Sequence, residues 1–322
     1  MNTADLTRIR LAIHGGAGDL APGAGPQPEH RAALARIAES TQALLIQGAT
    51  ALDAVEHAVV LLEECPLFNA GIGGVLNRDG LPELDAAIQR GSDRACGAVA
   101  GVMRSKSPVR LARAVMERSP HVFFSGPGAE QLGRELGLPE VEPTYFVTHE
   151  RLMQLEEARR KGVITLDHDT DDSRAQKTAP DAAFGTVGAV VRDAFGGLAA
   201  ATSTGGLTNK HPGRIGDTPV VGAGTFADDR SVAISCTGTG ESLIKACFGQ
   251  EVHARMAYSG WDIAKATQHA LDEVLHYGGR GGCIAIDHSG RITMPFNSYV
   301  MYRAWVDADG AVQVGIELAD GT

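Results

Sequence analysis

The feature that most constrains this chain is the stretch from residue 185 to 240, which holds twelve glycines and eight threonines. Glycine permits tight turns and close approach of backbone to backbone or ligand, whereas threonine favours strands. A segment so composed reads as short strands joined by tight turns, where backbone can approach backbone or a ligand closely. Phe184–Val191 and Leu198–Thr204 read as two strands around a turn at Asp193–Gly197, and Ser231–Thr237 as a third. Taken singly, each threonine has an ordinary structural role in such strands.

What precedes this stretch is its opposite. Asp167–Asp181 carries five acidic residues, two basic ones and no large aliphatic side chain. It cannot bury enough apolar surface to offset ordering, so an exposed linker is expected over about 162–185. Such a linker is also a plain marker of a domain boundary.

The first third alternates strand and helix. Ile9–Ile13 reads as a strand running into a glycine loop, His14–Gly18. Helical spacing covers Glu29–Gln47 and ends at Gly48; Thr50 and Asp53 then open a second helix that stops near Cys65-Pro66. Asp79-Gly80 marks a turn, and Ser107-Pro108 supplies the cap and first residue of a further helix. Gly128–Gly137 and Glu150–Arg160 are expected as helices. Beyond the third strand, two long helices are expected at Glu241–Ala257 and Trp261–His276, then hairpins around Ser289-Gly290 and Asp309-Gly310. Mixed sheets with helices outside them are the class this pattern implies.

Composition excludes several functions. The 322 residues are 43% hydrophobic and 21% charged, with a net charge of −10, so the chain has no general electrostatic attraction to nucleic acid. Five scattered cysteines form no C-x-x-C pair, which argues against a disulfide framework or a zinc cluster. No signal peptide or membrane-spanning run is read, and a cytoplasmic location is expected. The phosphate-binding and metalloprotease motifs are absent. His14–Gly18 is followed by prolines rather than a helix N-terminus, which leaves a nucleotide-binding reading weak.

A threonine at a new N-terminus, by contrast, is a complete catalytic pair. Its hydroxyl is the nucleophile and its own α-amine the base, with a reference pKa of about 7.7–8.0. An internal threonine is inert in this role until the preceding peptide bond breaks. Gly185 before Thr186, at the linker's edge, is a sensible place for that break, because glycine tolerates the distortion that attack on its carbonyl needs.

The residues also resemble a known family. Phe184–Val190, Ala199–Gly206, Thr208–Asp217 and Ser235–Gly240 are similar to the isoaspartyl peptidase/L-asparaginase (plant-type asparaginase) family of N-terminal-nucleophile hydrolases. His14–Gly18, Cys65–Gly73, Pro295–Asn297 and Met301–Arg303 extend the resemblance in collinear order over nearly the whole chain. It implies an α+β fold, a four-layer αββα sandwich, made as a single 1–322 precursor. Cleavage between Gly185 and Thr186 would leave an α subunit, 1–185, and a β subunit, 186–322, which assemble as a dimer of αβ units.

By the same resemblance, Thr186 is the nucleophile and Thr204 its hydrogen-bonding neighbour. Thr237 and the Gly238 N–H form the oxyanion hole. Arg214 clamps a substrate α-carboxylate, Asp217 and the Gly240 carbonyl receive its α-ammonium, and Asn69 supports the site. The substrates implied are L-asparagine and β-aspartyl dipeptides, cleaved through a β-aspartyl acyl-enzyme. No cofactor is implied beyond a structural sodium ion, held by the main-chain oxygens of Leu62, Glu63, Cys65, Phe68, Ala70 and Ile72. Two alternatives remain: a glycosylasparaginase-like hydrolase of asparagine-linked sugar, and a non-catalytic binding protein on the same scaffold. Nucleic acid and membrane are not expected partners.

Overall fold

The glycines of His14–Gly18 lie inside a strand. Instead of a strand that gives way to a loop, β1 runs unbroken from Arg10 to Gly18. Its glycines allow a bulge between His14 and Gly16 against strand β11 (Val300–Val306), so pairing continues past the irregularity. The computed structural model describes residues 5–18, 27–162, 164, 185–307 and 309–317. The expected linker over about 162–185 falls almost wholly outside the described residues.

In chain order the elements after β1 are α1 (Pro28–Ile46), α2 (Ala51–Glu63), β2 (Leu84–Arg90), β3 (Cys96–Val102) and α3 (Pro108–Arg118). Then come β4 (Phe123–Ser125), α4 (Gly126–Glu135), α5 (His149–Lys161), β5 (Val187–Arg192), β6 (Leu198–Thr204), β7 (Thr225–Asp228) and β8 (Val232–Gly238). The chain continues with α6 (Gly240–Ala246), α7 (Phe248–Ser259), α8 (Ile263–His276), β9 (Gly281–Asp287), β10 (Ile292–Thr293), β11 and β12 (Val312–Glu317).

An eight-stranded sheet has the order β12-β11-β1-β5-β6-β2-β3-β4, and a four-stranded sheet the order β10-β9-β8-β7. Strands from either side of residue 185 interleave in the larger sheet, with β5 and β6 inserted between β1 and β2. The segment before residue 185 is therefore not the border of two separate cores.

Period-two alternation sets the layers. On β1 and β5, Leu11, Ile13, Val187, Ala189 and Val191 face α1–α3 with Leu34, Val55, Val59 and Val109. The intervening positions, Ala12 and Val190, meet Ala200, Ala227, Ala233 and Ile284 between the two sheets. Small side chains there let the sheets lie close. The outer face of the smaller sheet is covered by α6–α8 through Phe226, Ile234, Leu243, Phe248, Val252, Leu271 and Val274. The outcome is the helix–sheet–sheet–helix arrangement that the resemblance implies.

Two helix expectations change. The helix expected over Glu241–Ala257 is two, α6 and α7, broken at Cys247, whose φ of 46° is left-handed. The N–H groups of Gly249 and Gln250 donate to the carbonyls of Ala223 and Gly222 rather than back into α6, so a tertiary contact replaces the helical ladder. Ser107 stands at the N-cap of α3, but its hydroxyl makes no cap bond; it donates to Glu63 Oε2. By contrast, Thr50 caps α2 through its side chain, accepting from the Asp53 N–H. Among the described residues, no helix is long and apolar enough to cross a membrane.

Candidate active site

The β5–β6 pairing sets the centre of the site. Val187 lies opposite Ser203, which brings Thr186, just before β5, beside Thr204 at the end of β6. The Thr186 hydroxyl donates to Thr204 Oγ1 at 3.1 Å, and the Gly206 N–H donates to the same oxygen at 3.0 Å. Thr186 is 8% exposed. It opens on a small cavity walled by Ala17, Gly185, Thr204, Gly206, Leu207, Arg214, Gly216, Asp217 and Gly238. The cavity volume is about 20 Å³, enough for roughly one water.

The glycines of β1 make room at the bond before Thr186. Gly16 has φ of +115°, and a Cβ there would lie 2.5 Å from the Gly185 nitrogen and 2.6 Å from its carbonyl oxygen. Any side chain would therefore collide with Gly185. Next door, Gly15 is pressed against the Phe68 ring in the same way.

Of the expected oxyanion pair, Gly238 lines the cavity and has a φ of +139°. Thr237 is not among the residues that wall the cavity but bonds to one of them. Its Oγ1 accepts from the Ala17 N–H at 3.0 Å, which leaves the hydroxyl proton for another acceptor.

Arg214 and Asp217 are not the exposed surface pair that their spacing would suggest. Asp217 is 4% exposed, and among the described residues its Oδ2 has no hydrogen-bond partner. Burial pushes its carboxyl up to about 7, against the pull of Arg214; Glu241 and Asp85 add to the rise. Arg214 instead donates from Nε and Nη2 to the two carboxylate oxygens of Glu241, each at 2.9 Å. Gly240 sits between these groups but does not wall the cavity. Asn69 also lies off the wall: its Oδ1 accepts from the Val75 N–H, its Nδ2 donates to the Gly206 carbonyl, and its own carbonyl accepts from Gly205. Its part is to hold the turn that follows Thr204.

Sequence reasoning missed three groups. Glu241 follows the resembling motif by one residue, with nothing local to set it apart. Lys210 lies within the Thr208–Asp217 segment; it is fully buried and donates to the Glu83 carbonyl at 2.7 Å, and burial lowers its pKa. Behind Thr186 runs a chain of polar side chains between the sheets. His14 Nε2 meets Ser235 Oγ at 2.8 Å, Ser235 meets Thr202 at 2.7 Å, and Thr225 donates to Thr202 at 2.7 Å. Burial pushes His14 down to about 3, so the ring is neutral. Gly188 permits this, since a Cβ there would strike both Ser235 and His14.

The chain matches the Asparaginase_2 family (asparaginase) over residues 7–316. It belongs to that family. It is 49% identical to the isoaspartyl peptidase of Salmonella typhimurium over 97% of this chain and 99% of that protein. Identity to the isoaspartyl peptidase of Escherichia coli is 49%, over 95% of each chain. The isoaspartyl peptidase/L-asparaginase of Homo sapiens is 39% identical over 97% of each.

Within this asparaginase-family chain, the expected sodium loop leaves α2 at Leu62 and bends at Gly71 (φ +50°) and Gly73 (φ +89°). The carbonyls of Glu63, Cys65 and Phe68 each accept one main-chain N–H, from Ile72, Phe68 and Ala70 respectively, while that of Leu62 accepts from both Glu64 and Cys65. A carbonyl that accepts one N–H retains a second lone pair, and the Glu63 carboxylate is turned away onto Ser107, Val109 and Ser203. Uncharged oxygens on a tightly curved loop fit a hard monovalent cation. Among the described residues, no cluster of three His, Cys, Asp or Glu side chains could hold a metal.

Proposed function

We propose that this chain is a self-cleaving threonine amidohydrolase that acts on β-aspartyl dipeptides and on the side-chain amide of L-asparagine. One observation carries the reading: Thr186, bonded to Thr204, shares a single cavity with a guanidinium and a buried carboxyl that has one oxygen unbonded among the described residues. The relatives' names, isoaspartyl peptidase and isoaspartyl peptidase/L-asparaginase, support the same chemistry.

In the first step Thr186 Oγ attacks the Gly185 carbonyl carbon, the Gly185–Thr186 C–N bond breaks, and the resulting ester is hydrolysed. This frees the Thr186 α-amine and releases Gly185 as a new C-terminus. In turnover that amine takes the proton of its own hydroxyl as Oγ adds to the β-carbonyl of the substrate. The Thr237 hydroxyl and the Gly238 N–H stabilise the developing oxyanion. The proton then passes to the leaving amine as the C–N bond breaks, and water hydrolyses the β-aspartyl ester to aspartate. Arg214 receives the α-carboxylate, while Asp217 and the Gly240 carbonyl receive the α-ammonium. The main-chain oxygens of Leu62, Glu63, Cys65, Phe68, Ala70 and Ile72 would hold a sodium ion, which would stiffen the loop that carries Asn69. The processed pieces form a dimer of αβ units, whose mass light scattering reads.

Denaturing gels of wild type are expected to resolve pieces of about 19 and 14 kDa, apportioning 33.7 kDa by residue number. Thr186→Ala is expected to stay at full length and inactive. An intact wild-type chain that hydrolyses β-aspartyl dipeptides, or an active Thr186→Ala, would overturn the mechanism.

A further inference from the structure

Arg214 and Asp217 carry opposite charge, stand close together and do not pair. Gly240 lies between them: a Cβ there would be 2.9 Å from Arg214 Nη2 and 2.9 Å from Asp217 Oδ1, so these atoms are no more than twice that distance apart. A guanidinium so near a poorly hydrated carboxylate ordinarily closes into a bidentate pair. Here Nε and Nη2 are both taken by Glu241, from the first residues of α6, and Asp217 Oδ2 is left without a partner among the described residues. The remaining end of the guanidinium, Nη1, lies beside Gly206 and Gly216, which wall the cavity.

We propose that Glu241 is a positioning residue that holds Arg214 off Asp217, keeping the receptors for an α-carboxylate and an α-ammonium separate until an α-amino acid head group bridges them. This rests on the function proposed above and adds to it the residue that enforces selection for that head group. Glu241 has the properties the role needs. Its side chain is half exposed, so its charge is tolerated without burial of the whole group. Burial alone would raise its carboxyl, but the bonds from Arg214 outweigh this and keep it below its usual range, so it stays ionised. Without Glu241, the freed edge of Arg214 turns onto Asp217 and both receptors are lost at once.

The test uses processed protein, with Glu241→Ala and Glu241→Gln. Cleavage at Gly185 and hydrolysis by wild type are scored first, and their failure refutes the function rather than the role of Glu241. Given those, both variants are expected to lose about tenfold or more in kcat/KM on a β-aspartyl dipeptide, mostly through KM. The double variant with Arg214→Ala is expected to lose no more than Arg214→Ala alone, because the two residues act as one unit. A second readout is the acid limb of kcat/KM. Asp217 is faced by Arg214, Glu241 and Asp85, with Lys210 beside Asp85. Removing the Glu241 charge lowers the Asp217 pKa, so the limb moves to lower pH. A crystal structure of Glu241→Gln is expected to show Arg214 turned onto Asp217, whatever the activity. Unchanged or lower KM, losses that add in the double variant, or an Arg214 that stays in place would each overturn the proposal.

Discussion

Glu63 and Asp217 are both buried, and burial pushes both carboxyls to about 7, yet their surroundings are opposite. Glu63, at the end of α2, accepts from the Ser107 hydroxyl, the Val109 N–H at 2.9 Å and the Ser203 hydroxyl at 2.7 Å. It ties α2, the start of α3 and β6 together. Asp217 stands on the wall of the Thr186 cavity with one oxygen unbonded among the described residues. A raised pKa is thus not a signature of function by itself. A buried acid supplied with donors belongs to the scaffold, whereas one with an unbonded oxygen beside a cavity is a candidate receptor for a cationic group.

The contrast can be broken by substitution, and the largest effect is expected at Asp217. Asp217→Asn is expected to lose about 100-fold in kcat/KM on β-aspartyl dipeptides while it still folds and processes, because the charged partner of the substrate ammonium is gone. Steady-state kinetics read this, and a loss under about threefold would make Asp217 another scaffold acid. Glu63→Ala reverses the pattern. It strands two hydroxyls and a buried N–H, and is expected to cost about 3 kcal/mol in urea unfolding. An equal destabilisation by Asp217→Asn would erase the distinction.

The smallest effect sharpens the comparison through pH. Both carboxyls have folded-state pKa values above their unfolded ones, so the native state holds their protons more tightly. Their contribution to stability is full below about pH 4 and is lost as the pH rises through about 7. Asp217→Asn is expected to flatten part of that fall, leaving the variant about 1–3 kcal/mol more stable than wild type at pH 8. Thermal unfolding at pH 5 and pH 8 measures the difference. A parallel decline in the two proteins would show that Asp217 is ionised without cost.

Much of the fold was legible because it depends on local periodicity. Leu11 and Ile13 flank Ala12, and Val187 and Ala189 flank Gly188, so β1 and β5 could be read as strands directly. The α2 cap at Thr50 was equally local. The misreadings share one cause. Cys247 breaks a helical pattern because the carbonyls of Gly222 and Ala223 claim the next two N–H groups. Ser107 leaves its cap position's usual bond for a carboxylate 44 residues away. His14–Gly18 reads as a loop in isolation, yet β11 pairs along it to Gly18 and keeps it extended, with β5 pairing as far as His14. In each case a distant partner outbids a local preference.

For the site, the resemblance put Thr186, Thr204, Arg214, Asp217 and Gly238 on one list, and they wall one cavity. Thr237, Asn69 and Gly240 are not on that wall but touch residues that form it. Glu241 was invisible, since an acid in the first turn of a helix is commonplace and only its reach to Arg214 distinguishes it.

By itself the chain's order of residues determined β1, β5, β6, β8 and the C-terminal hairpins, most helices and the place of a glycine–threonine bond at the linker's edge, because each follows from neighbours within a few positions. Only the tertiary structure decided which of two equally buried acids is satisfied and which arginine edge is free. Those depend on hydrogen-bond partners that the folding of the two sheets brings together from far along the chain.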